Sequence, residues 1–129
     1  MSTKRIDITL DVLTQESTEF TNDPADCIKV IRRIEQDNVK EITRLVMQVL
    51  GGGTVETVPL PDAFAHYVII YSDRTLSLTI NGADTPFNLI PKVEGTKAPV
   101  FYAKGSFIEL IVQNSGTETA NVDIILAKL

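Results

Sequence analysis

The sequence predicts a mostly-β protein, a jelly roll or β-sandwich of about eight strands with an N-terminal arm and a possible helix within 24–50. Three observations point there. Short segments alternate apolar and polar residues, as in Leu76-Ser77-Leu78-Thr79-Ile80, which gives a strand one buried and one wet face. Turn signals such as Asn81-Gly82 and Asn114-Ser115-Gly116 punctuate those segments. The triplet Gly51-Gly52-Gly53 and the prolines at 59, 61 and 91 interrupt the chain where a helix would have to continue.

In chain order, Ile6-Asp7-Ile8-Thr9-Leu10 alternates and reads as an opening strand. Residues Thr14 to Asp26 are polar, with Asn22-Asp23-Pro24 as a breaker, and read as a loop or arm. Loops of that length in compact domains are usually functional or disordered. Cys27 to Leu50 supports two readings. Ile28, Ile31 and Ile34, then Ile42, Leu45 or Val46, and Val49, sit at helical spacing, with Asp23-Pro24 as a start and Gly51 as a stop. Ile28, Val30 and Ile34 also fit strand alternation, as do Leu45, Met47 and Val49. A helix would carry Asp37 and Asn38 in its middle, where both are poor formers. The reading adopted is two strands turning at Gln36-Asp37-Asn38.

After the glycine triplet, Thr54 to Val58 restarts as a strand. Val68 to Tyr71 is a short apolar run, and Leu76 to Ile80 leads into the Asn81-Gly82 turn. Phe87-Asn88-Leu89 alternates until Pro91. Phe107 to Val112 and Val122 to Leu126 are the last strands, and the turn between them pairs them as an antiparallel hairpin. Leu78, Ile80, Leu110, Val112, Ile124 and Leu126 are the expected core.

The chain has 129 residues and 43% hydrophobic residues, which suits one domain over 1–129, with strand and arm in 1–26 and a sandwich core in 27–129. One cysteine, Cys27, leaves no internal disulfide. The net charge of −5 disfavours a phosphate backbone as partner, so no nucleic-acid partner is expected. No apolar run approaches the roughly 20 residues of a membrane span, so no membrane partner is expected either. Met1 to Asp7 lacks the apolar stretch of a signal peptide, and a protein made and kept in the cytosol is the simplest reading.

Candidate chemistry is sparse. His66 stands alone at the edge of an apolar strand, where an ordinary strand-end role outweighs a general base. Cys27 with His66 would form a nucleophile and base, but Asp23 and Asp26 would raise the thiol pKa. Zinc lacks ligands. Calcium would need Asp73, Asp84 and Glu94 to meet at one end of the sandwich, and turn chemistry alone explains those acids. The glycine triplet lacks the Lys-Ser/Thr of a phosphate loop. Tyr71 and Tyr102 could flank a sugar site, against the plainer reading of strand aromatics. The expectation is therefore no enzyme: no catalytic residue, no cofactor site and no metal site.

Tyr71-Ser72-Asp73, Leu76 to Gly82 (LSLTING), Gly105-Ser106-Phe107, Leu110 to Gly116 and Val122 to Ala127 form a run of strands and turns over half the chain. This pattern resembles small virion structural proteins of tailed bacteriophages, the capsid cement or decoration type and related neck and tail accessories. The resemblance implies a jelly roll or β-sandwich. It also implies binding to the major capsid protein or other virion subunits and stabilisation of the head shell, by a protein made in the host cytoplasm and located in the virion. The polar arm Thr14 to Asp26 and the symmetry of a shell lead to the expectation of a homo-oligomer, or of a monomer that orders its arm only on the particle. The alternative is a tail or neck accessory acting as a carbohydrate- or receptor-binding sandwich.

Overall fold

The computed structural model describes residues 4–15 and 27–129. Ten strands run through them: β1 (Lys4–Gln15), β2 (Cys27–Val39), β3 (Glu41–Val49), β4 (Thr54–Thr57), β5 (Ala65–Ser72), β6 (Leu76–Ile80), β7 (Phe87–Leu89), β8 (Ala98–Phe107), β9 (Leu110–Asn114) and β10 (Ala120–Lys128). The only helical element among the described residues is a single 3-10 turn at Pro61–Ala63. The two-strand reading of Cys27 to Leu50 holds, and the helix considered within 24–50 is absent from the described residues of that segment.

The chain divides into two units, Met1–Val39 and Lys40–Leu129. In the first, β1 and β2 pair antiparallel from Lys4↔Val39 to Leu13↔Val30, with a register shift at Thr14/Gln15. The expected turn at Gln36-Asp37-Asn38 is instead strand: these residues stand opposite Asp7, Ile6 and Arg5. A ladder with β1 gives their backbone partners, and tertiary pairing overrides their weak β-propensity. The break falls at Lys40. Cys27 to Val39 therefore pairs with β1 and not with the sheets of the core. Thr14 and Gln15 belong to β1; the rest of the expected arm, residues 16–26, lies outside the described residues.

The second unit is a β-sandwich of two antiparallel four-stranded sheets, ordered β3-β10-β5-β8 and β4-β9-β6-β7. Alternation builds the core. Val122, Ile124 and Leu126 of β10 and Val68 and Ile70 of β5 point inward, against Leu76 and Leu78 of β6 and Leu110 and Val112 of β9. Five of the six expected core residues are buried, and Ile80 is half-buried against that core.

Six connections cross between the layers, and glycine or asparagine holds three of them. Gly51–Gly53 carries β3 into β4. Gly52 and Gly53 have φ of 85° and 89°, and a Cβ on Gly51 would lie 2.6 Å from the Thr117 backbone, so that corner needs glycine. The turn from β8 to β9 is held by Asn81, whose Oδ1 accepts from the N–H of Ile108 (2.8 Å) and Glu109 (3.2 Å) while Nδ2 donates to the Ser106 carbonyl. Asn81 and Gly82 adopt φ of 49° and 71°, the tight turn their sequence predicts.

The third crossing overturns the expected hairpin. Phe107 to Val112 spans the end of one strand and the start of another in the opposite sheet. β9 pairs with β4 and β6, while β10 pairs with β3 and β5. Loop length fits a hairpin equally well, but Asn114 redirects the chain. Its buried side chain donates to the carbonyls of Val49 (2.9 Å) and Glu118 (2.7 Å) and accepts from the Gly116 N–H (3.1 Å).

Candidate functional site

The main concavity of the second unit lies over the outer side of the second sheet. Its floor follows from register: Ser77 of β6 stands opposite Gln113 of β9 on one side and Asn88 of β7 on the other. Alternation sends Leu76 and Leu78 into the core, which leaves Ser77 on the wet face. One wall is the Ser115–Glu118 loop, fixed from behind by Asn114. The other is built from the turns after β5 and β7. There the Glu94 carboxylate accepts from the Thr75 N–H (3.3 Å) and the Thr75 hydroxyl, and the Gly95 N–H donates to the Asp73 carbonyl (2.7 Å). The groove encloses about 550 Å³.

The groove's side chains are chemically mixed. Arg74 offers only donors, Glu94 and Glu118 only acceptors, and Ser77, Asn88, Gln113 and Thr117 both. Arg74 is set in place by its backbone, which receives the Ser72 hydroxyl at the carbonyl (2.7 Å) and donates its N–H back to that oxygen (3.2 Å). The Arg74 Nε is buried and has no hydrogen-bond partner. Such an atom marks a place where a further polar group would be favourable.

Beside this groove, Asp73 accepts from the Asn121 N–H and Nδ2, both at 2.8 Å. Burial pushes its carboxyl up, but these bonds and the charge of Arg74 outweigh burial and hold it below its ordinary value. Asp123 is held low as well, through bonds from Lys97 and Arg44, each at 2.9 Å.

The expected candidates fall elsewhere. The His66 Nδ1 accepts from the Leu129 N–H (3.1 Å), and its ring meets Phe64 edge-on at 4.5 Å. Cys27 opens β2 in the first unit. Asp73 and Glu94 do share one end of the sandwich, but Asp84 follows the far end of β6, about 17 Å away at strand rise. The three acids considered for calcium do not converge. Among the described residues, no cluster of three His, Cys, Asp or Glu could hold a metal. No helix among them is long and apolar enough to cross a membrane. Tyr71 lies with Arg44, Asp123 and Ile125, and Tyr102, opposite Ile69 on the next strand, stacks on Tyr67 at 6.5 Å.

A second candidate surface is the flank where β3 and β4 lie. Each is the terminal strand of its sheet, and the glycine corner joins them, so two open edges run together. Apolar side chains stand exposed on and between these strands: Val46 (71%) opposite Asp123 on the outer face of the first sheet, Val55 (55%) opposite Gln113 on the outer face of the second, and Leu50 (59%) at the corner. Neither this flank nor the groove is announced by any motif, because their residues come from separate strands. No family model, curated protein or solved structure matches the chain.

Proposed function

We propose that the chain is a structural protein of a tailed-bacteriophage particle, of the capsid cement or decoration kind, a homo-oligomer bound to the major capsid protein or neighbouring virion subunits. The observation that carries its adhesive side is the open β3/β4 flank. Exposed strand edges present unpaired N–H and C=O groups, and natural proteins usually blunt them with charge, proline or a covering segment. Here Val46, Leu50 and Val55 stand exposed on or beside them with Arg44 as the one exposed charge of β3, which suits a surface covered in an assembly. The assignment to a virion rests on the strand-and-turn resemblance. Quantitative mass spectrometry of particles purified from the source phage tests it: the chain should be present in many copies, beside the major capsid protein. Its absence from purified particles would overturn the reading.

The groove favours a second reading, an accessory protein that binds saccharide at the neck or tail. A sugar hydroxyl both donates and accepts, and the groove mixes donor-only, acceptor-only and two-way groups around a volume within the range of small-ligand sites. Titration of the ¹⁵N-labelled protein with a neutral disaccharide panel should shift the amides of Ser77, Asn88 and Gln113 first, and Arg74→Ala should abolish the response. A flat titration would remove this reading and leave the first untouched.

A further inference from the structure

We infer that β3 pairs antiparallel with β3 of a second copy of this chain, about a two-fold axis at Val46, and so extends the first sheet across a dimer. The inference rests on the assembly reading and names its edge, its partner and its register.

The backbone makes the edge available. Among the described residues β3 is bonded on one side only, to β10. The Lys40 N–H donates to the Lys128 carbonyl (2.8 Å). The Lys128 carbonyl faces β3, and so does every second residue of β10 back to Ala120; their partners Glu41, Thr43, Leu45, Met47 and Val49 bond to β10, and the backbone groups of Ile42, Arg44, Val46 and Gln48 face the open side.

The side chains select the partner. Ile42, Arg44, Val46, Gln48 and Leu50 are exposed, whereas Leu45, Met47 and Val49 turn toward the core. With Val46 opposite Val46 of the second copy, Ile42 meets Leu50 and Arg44 meets Gln48 on the outer face, and Leu45 meets Met47 on the inner one. On the outer face each of these pairs then joins two apolar side chains or a cation with an amide, and such pairs stabilise sheets. Other registers fail. Setting Val46 opposite Arg44 places each apolar side chain against a polar one. Setting Arg44 opposite itself joins like charges. A one-residue slip sends the exposed set to the core face. Self-complementarity under a two-fold axis is the requirement of an isologous interface, which is why a second copy fits this edge.

Cysteine cross-linking and solution mass on the full chain test the pairing. Val46 faces itself in a hydrogen-bonded position, where Cα atoms lie about 5.5 Å apart, inside the range of roughly 4.4–6.8 Å that a disulfide accepts. In a Cys27→Ser background, Val46→Cys treated with copper phenanthroline should give a disulfide-linked dimer, and Gln48→Cys should cross-link far more slowly. The wild-type chain of 14.2 kDa should show twice that mass by light scattering. Val46→Asp, checked for fold by circular dichroism, should raise the dimer dissociation constant by at least about tenfold. An unchanged constant in Val46→Asp, or Gln48→Cys linking as fast as Val46→Cys, would overturn the inference. A chain that is monomeric at every concentration yet abundant in particles would overturn the inference alone. A dimer of this register that is absent from particles would overturn the assembly reading alone.

Discussion

Strands β10 and β3 lie side by side in one sheet, in register from Ala120↔Val49 to Lys128↔Glu41, and their sequences are similarly apolar. Their surroundings differ. β10 has a partner on each side, and Val122 and Ile124 are fully enclosed. β3 has a partner on one side, and Val46, opposite Asp123, is 71% exposed. Hydropathy marks both strands; position in the sheet decides which apolar residues meet the core and which are left for something else. Apolar side chains on an edge strand's wet face add little to this fold.

The contrast breaks most easily by truncation. Ile124→Ala should cost about 2–5 kcal/mol, the range for removing a large aliphatic side chain from a close-packed core. Val46→Ala should stay within about 0.5 kcal/mol in the monomer, as surface changes do. Chemical denaturation of both at low protein concentration checks the pair. Equal losses would mean that β3 is covered within one chain and that the edge is not open.

A smaller effect tests how the two sheets are joined. Asn114→Ala removes three hydrogen bonds and leaves the buried Val49 carbonyl without its side-chain donor. The expected loss is about 1–3 kcal/mol. Asn114→Asp should be no better, because a carboxylate can accept from Gly116 but cannot donate to Val49 or Glu118. A melting temperature unchanged in both variants would show that the crossing is held by the glycine corner alone.

These residues also show what a reader of the sequence can and cannot see. The alternation in Leu76–Ile80 and Val122–Leu126 is a local property, and so is the positive-φ preference of Asn81-Gly82; the elements they announce are present. Pairing is not local. Asn114-Ser115-Gly116 looks like a hairpin turn until the Asn114 side chain is seen reaching Val49, 65 residues earlier. Gln36-Asp37-Asn38 looks like a turn until β1 is set beside it. The strand Ala98–Phe107 is hidden by Pro99, Lys104 and Gly105, which an edge strand tolerates and a central one does not. The groove is legible only in three dimensions, since Ser77, Asn88 and Gln113 become neighbours through register alone. The open flank is similar: its side chains were visible as strand residues, but the vacancy beside them is a property of topology.

The smallest expected effect separates the polar end of the sandwich from its apolar middle, and it appears on acidification. Asp73 accepts two hydrogen bonds from Asn121, one from the backbone and one from the side chain, and these tie the turn after β5 to the start of β10. Its folded-state pKa lies below the ordinary 3.8. The unfolded chain therefore binds this proton more readily than the folded one, and stability rises with pH across the interval between the two values. The contribution of Asp73 is fully present above pH 3.8 and is lost as pH falls through the lower folded value. In Asp73→Asn the amide keeps one acceptor oxygen but carries no charge, so that variant should be less stable at pH 7 by about 1.5 kcal/mol at most, the low end for bonds to a charged group in a half-exposed place. The gap between the two proteins should then close on acidification below pH 3.8. Ile124→Ala, which removes no ionisable group, should keep a constant deficit over the same range. Thermal melts of the three proteins between pH 7 and pH 3 decide it: a gap for Asp73→Asn that persists unchanged at the acid end would mean that the carboxylate's charge contributes nothing and that geometry alone fixes this turn.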